Sequence, residues 1–159
     1  MESTLKECVK CGGTKLERRE VERHRDVAGH RFTATLTALV CAACGEAYFR
    51  QQDLMPFERA IAHALFEAGE TAGEALRFLR NCIPLTAREF AELLDLRHET
   101  VSRWENGKRP IDRGDYATLR QLVEESARGE RATLDYLRSL RKPRRLPKRV
   151  RLDVRRGAA

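Results

Sequence analysis

Four cysteines in two pairs, Cys8-x-x-Cys11 and Cys41-x-x-Cys44, carry the plainest chemistry in this chain. Thiolates at that spacing flank a tight turn, and two such turns bring four sulfurs around one tetrahedral ion. Gly12 and Gly45 follow the second sulfur of each pair and permit the turn. One structural Zn2+ per chain is the expected occupant, with iron in a similar four-cysteine site as the alternative. Four protein ligands leave no open position for water, so catalysis by the metal is not expected. Disulfides would need an oxidising compartment. The chain shows no charged-then-apolar leader and no apolar run near about 18 residues, which points to the cytoplasm and away from a membrane. His24 and His30 lie between the pairs and read as strand or surface residues. Cys82 stands apart and reads as a small buried hydrophobe.

A second set of polar residues sits between Leu85 and Pro110. Thr86 and Glu89 form a capping box that starts a helix, and Phe90, Leu93 and Leu94 give it one apolar stripe. Asp95 falls where the chain must turn, and aspartate tolerates a left-handed conformation better than most residues. In the next helix a step of roughly 100° per residue groups Val101 with Trp104 and puts His98, Glu99, Ser102 and Arg103 opposite. One face packs, and the other offers donors and acceptors. Asn106-Gly107 closes the helix, and Lys108 and Arg109 add two cations beside the polar face, an arrangement suited to a phosphate backbone.

The run from Leu85 to Pro110, and ETVSRWENGKRP above all, resembles the helix-turn-helix of Xre/Cro-type phage repressors. The resemblance implies that the second helix enters the DNA major groove. By position it implies base reading by His98, Glu99 and Arg103, flanked by Arg97, Thr100 and Ser102, with phosphate contacts from Asn106, Lys108 and Arg109. It also implies a structural ion pair between Arg80, on the preceding helix, and Glu105. The sequence departs from the family pattern at Ala87, where glutamine is usual, at Asp95 in place of the turn glycine, and at Arg97 in place of a Ser or Thr cap.

The elements that must position these groups follow from periodicity. Leu16 to Arg23 and Arg31 to Val40 read as two strands joined by an Ala28-Gly29 turn, a ribbon with both cysteine pairs at one end. Residues 50 to 56 read as a link, and Phe57, Ile61, Ala64, Leu65 and Ala68 as a helical stripe ending at Gly69. A second capping box, Thr71 with Glu74, opens a helix running to about Cys82. Tyr116, Leu119, Leu122 and Val123 mark a later helix, and beyond Gly129 Leu134, Leu137 and Leu140 mark the last. The fold expected is α+β: a four-cysteine zinc ribbon over 1–52, a connecting helix over 53–70, a five-helix repressor-type domain over 71–141, and a basic tail over 142–159.

Net charge is +7 over 159 residues, but its distribution matters more. Nine Lys and Arg against one Asp between 141 and 156 leave the rest near neutral. Pro143 and Pro147 keep this stretch from starting as a helix, and it suits salt-sensitive, sequence-independent attraction to phosphate.

A four-cysteine ribbon followed by this helix-turn-helix resembles the MqsA/YgiT-type antitoxins. The resemblance spans about 140 residues, with CxxCG at both knuckles and VSRWENG in the reading helix. It implies a homodimeric repressor of a palindromic operator on double-stranded DNA, whose zinc module binds a small mRNA-cleaving toxin. The alternative is a stand-alone zinc-containing regulator with no cognate toxin. A hydrolase or nuclease lacks support, since the chain has no His-Glu-x-x-His and no nucleophile motif, and the cysteines saturate the metal.

Overall fold

In a computed structural model the structure describes residues 5–142 and 145–151. Strands β1 (Leu16–Val27) and β2 (His30–Cys41) pair antiparallel over their whole length, from Leu16 opposite Cys41 to Val27 opposite His30. The hairpin is therefore longer than the sequence pattern marks. Ala28 (φ 51°) and Gly29 (φ 80°) are both left-handed, the backbone that a two-residue turn needs to match the strand twist. A two-residue strand β3 (Ala47–Tyr48) adds to β2 on its other side, giving the order β1-β2-β3. β1 is an edge of the sheet, and the charges alternating along it disfavour pairing with another chain.

Six helices follow among the described residues: α1 (Gln51–Glu67), α2 (Gly73–Asn81), α3 (Ala87–Leu93), α4 (His98–Glu105), α5 (Arg113–Arg128) and α6 (Ala132–Leu140). The five helices expected between 71 and 141 are α2 to α6, but the helical core counts six rather than five, because α1 is no mere connector. Its Phe57, Ile61, Ala62, Leu65 and Phe66 are buried in the same core as Leu79, Phe90, Val101 and Leu119. The stripe on α1 thus runs through Ala62 and Phe66, and Ala64 and Ala68 face solvent. Residues 50 to 56 are not a link either: α1 begins at Gln51 with Pro56 inside it. Proline removes one N–H there, close to an end where Gln51 and Gln52 are exposed.

The Thr86–Glu89 capping box forms, Thr86 Oγ1 accepting from Glu89 N at 3.2 Å and Glu89 accepting from Thr86 N at 2.7 Å. The Thr71–Glu74 box does not. α2 starts after Ala72, and the Ala72 N–H goes to Glu70 Oε1 at 2.8 Å. At the other end of the helical half, the buried Glu125 of α5 accepts from Thr133 N at 2.8 Å and from Thr133 Oγ1, pinning the first turn of α6.

The turn end of the hairpin docks on the helices. Val27 belongs to the helical core, and Phe32, Ala34 and Leu36 pack against it. Arg25 lies over the Phe78 ring of α2 at 5.7 Å, and His30 pairs with Glu70 at 3.7 Å. The cysteines are at the opposite end of the hairpin. Of the basic tail, residues 145–151 are exposed and form no helix or strand; residues 143, 144 and 152–159 lie outside the described residues.

Candidate metal centre and reading helix

The two cysteine turns are built alike. Gly12 N donates to Cys8 O at 2.8 Å and Gly45 N to Cys41 O at 2.9 Å. Cys8 N donates to Gly13 O at 2.8 Å and Cys41 N to Glu46 O at 2.9 Å. Gly12 (φ 72°) and Gly45 (φ 73°) take the left-handed backbone that such a turn requires. β2 ends at Cys41 and β3 pairs back on Leu39 and Val40, so the second turn is anchored in the sheet. Lys10 and Glu46, one from each turn, form an ion pair at 2.7 Å that holds the turns together.

All four sulfurs lie within 4.8 Å of one another, Cys8 to Cys44 at 3.5 Å and Cys11 to Cys41 at 3.6 Å. A tetrahedral ion with metal–sulfur bonds of about 2.3 Å needs sulfurs about 3.8 Å apart. A disulfide needs about 2.05 Å, and all four are free thiols. The set can hold one metal ion. Cys8 and Cys41 are buried, Cys11 and Cys44 exposed. The Tyr48 hydroxyl, 3.2 Å from Cys8 Sγ, holds that thiol down at about 6 against the opposing push of desolvation. Sequence spacing marks the ligands but not Tyr48, which reaches Cys8 only because β3 folds back on β2. His24 and His30 are exposed strand residues outside the cluster. Cys82 is half-buried at the end of α2, its thiol pushed up to about 11, chiefly by burial.

On the helical half, α3 ends as a tight turn. Asp95 is left-handed (φ 55°), and Leu96 N returns to Ala91 O at 2.9 Å. Helix α4 then buries Val101 and Trp104, leaving Arg97, His98, Glu99 and Arg103 exposed, with Thr100 and Ser102 half-buried. Arg97 caps the helix with backbone only. Past Gly107 (φ 65°) the chain wraps back, so that Arg103 O accepts from Lys108 N at 2.8 Å and Arg109 N at 3.3 Å. Lys108 and Arg109 are thereby set beside Arg103. Among the described residues, none of Arg97, Arg103, Lys108 and Arg109 is in an ion pair, in contrast to Arg31, Arg50, Arg80, Arg88 and Arg120. Arg109 also lies near enough to Asp112 and Asp115 for its charge to favour the ionised form of both carboxyls.

The other end of α4 is gripped by α2. Arg80 donates to both carboxylate oxygens of Glu105 and to Leu85 O at 3.1 Å, with both charged side chains nearly buried. Arg77 reaches Asn106 Oδ1 at 3.1 Å and Glu105 at 3.5 Å. Asn106 Nδ2 in turn donates to Ser102 O at 2.7 Å, so the side chain expected to meet phosphate is engaged within the fold at both its polar atoms. Sequence periodicity does not mark Arg77, whose partner is 29 residues away.

Among the described residues, no helix is long and apolar enough to cross a membrane. No protein-family model, no curated protein and no solved structure matches the chain.

Proposed function

We propose that this protein is a sequence-specific DNA-binding transcriptional repressor, acting as a homodimer in the cytoplasm and without enzymatic activity. The observation that carries the proposal is the face of α4: His98, Glu99 and Arg103 exposed on a helix held at its C-terminal end by Arg80 and Arg77, with Lys108 and Arg109 exposed alongside. A helix about 12 Å across fits the major groove, where Arg103 can donate two hydrogen bonds to guanine O6 and N7 and Glu99 can accept from cytosine N4. Arg97 and Thr100 flank that contact, and the cations supply phosphate attraction. A pair of reading helices spaced by about one DNA turn, roughly 34 Å, selects a palindromic operator.

In this reading Cys8, Cys11, Cys41 and Cys44 hold one structural Zn2+, which when bound cross-links the two turns in place of a core that the end of the hairpin lacks. The ribbon is then the surface offered to a small toxin, as in an MqsA/YgiT-type antitoxin. A second reading, a stand-alone regulator whose ribbon braces the DNA-binding half, is favoured by the packing of Val27 and Phe32 onto the helices. A small toxin gene beside this one, with co-purification of the two products, supports the first; a solitary gene supports the second.

Selection from a randomised duplex pool by the purified, metal-loaded protein tests the central reading. An enriched two-fold symmetric site is expected. Retention of all sequences alike contradicts it.

A further inference from the structure

Resting on the reading of α4 as the DNA-reading helix, we propose that Gly73 and Arg77 of α2 are positioning residues that set the pose in which α4 presents Arg103 and its neighbours. Gly73 does not have the positive φ of Gly69 or Gly107, so no unusual backbone conformation calls for it. Space does. A Cβ there would lie 2.6 Å from Glu105 O, 2.7 Å from Gly107 N and 2.8 Å from Glu105 C. All three are backbone atoms, and no side-chain rotation relieves them. The first turn of α2 thus rests backbone to backbone on the last turn of α4.

Positions 73, 77 and 80 share one face of a helix. All three meet Glu105 at the end of α4: Gly73 by contact with Glu105 and Gly107, Arg77 by bonds to Asn106 and Glu105, Arg80 by its bonds to Glu105. The contact also joins the positive end of one helix to the negative end of the other, a favourable alignment of dipoles. A methyl at position 73 must push α4 away by roughly 1 Å to reach ordinary carbon contact distances. Groups that read a ligand tolerate only about 0.5 Å of misplacement. The lever is short, because Arg103 lies two residues before Glu105 and its carbonyl holds the Lys108 and Arg109 backbone.

The test compares Gly73→Ala with Gly114→Ala, a helix-start glycine whose added methyl would meet only the Asp112 side chain, at 3.3 Å. Each full-length protein is titrated against the selected operator and against unrelated duplex of equal length. The proposal expects Gly73→Ala to lose roughly tenfold or more on the operator, the scale of one base contact. It expects little change on unrelated duplex, none for Gly114→Ala, and a shifted emission from Trp104, the only tryptophan. Unchanged operator affinity in folded Gly73→Ala overturns the proposal, as does an equal loss on both duplexes. If Gly73→Ala does not fold, Arg77→Ala decides by the same two titrations, since Arg77 is half-exposed and its removal leaves the core intact. Wild-type protein that selects no operator overturns the DNA reading itself, and this proposal with it.

Discussion

The hydroxyl of Tyr48 lies 3.2 Å from the sulfur of Cys8. Tyr48 belongs to the short strand β3 and Cys8 to the first cysteine turn, so this bond ties the first turn to the sheet that already carries Cys41. A hydroxyl that donates to a ligating sulfur orients it and stabilises its anionic form, and loss of such a partner typically costs about 10- to 100-fold in metal affinity. Tyr48→Phe is expected to weaken binding on that scale in competition against a chromophoric chelator, with the helical circular dichroism unchanged. Affinity equal to wild type contradicts the assignment.

Stripping the metal is expected to act locally. The cysteine turns have little apolar core of their own, whereas the turn end of the hairpin is held by Val27 and Phe32 against the helices. Hydrogen exchange after chelation should speed up over 8–13 and 41–48 and stay slow in α2, α4 and α5. Elemental analysis of the loaded protein should give one zinc per chain; one iron per chain would keep the site and change the ion.

Much of this was legible where the deciding interactions are local. The Thr86–Glu89 box, the turn at Asp95, the split of α4 into a Val101–Trp104 face and a polar face, and the paired cysteines all depend on residues within a turn of one another. The failures share the opposite cause. Helix α2 starts at Gly73, where it meets the sequence-remote end of α4, and no side chain from Thr71 caps it. The buried face of α1 is chosen by the hairpin and α5 that it packs against, which select Ala62 and Phe66 over Ala64 and Ala68. Docking of the hairpin turn on α2 leaves no mark in the strand pattern, because Arg25 and Phe32 alternate as ordinary strand residues do.

The Arg80–Glu105 pair has side-chain exposures of 11% and 10%. Removing one partner strands the other charge in a largely dry site, which costs about 3 to 5 kcal/mol. Glu105→Ala should lower stability by about that much in urea titration. Replacing both partners with apolar residues should recover most of it. A loss under about 1 kcal/mol for the single variant would mean that water reaches the pair.

Acid should loosen the start of α6. Bonds from Thr133, and then Gln121, hold the Glu125 carboxyl below its usual range. A depressed carboxylate contributes stability that is complete above the unfolded pKa, about 4.3, and is lost as pH falls through the folded value. Amides of α6 should therefore lose exchange protection between about pH 4 and more acid conditions, while Glu125→Gln flattens that dependence. An α6 whose protection is constant over that range in wild type contradicts it.

The most direct measurement is the base-pair selectivity of Arg103→Ala on the operator that the wild-type protein selects. If Arg103 reads a base from α4, affinity should fall by about 1 to 3 kcal/mol on the operator. Discrimination should relax at one base pair in each half-site, and affinity for unrelated duplex should stay nearly unchanged. A uniform loss over all sequences, or selectivity intact at every position, contradicts the account.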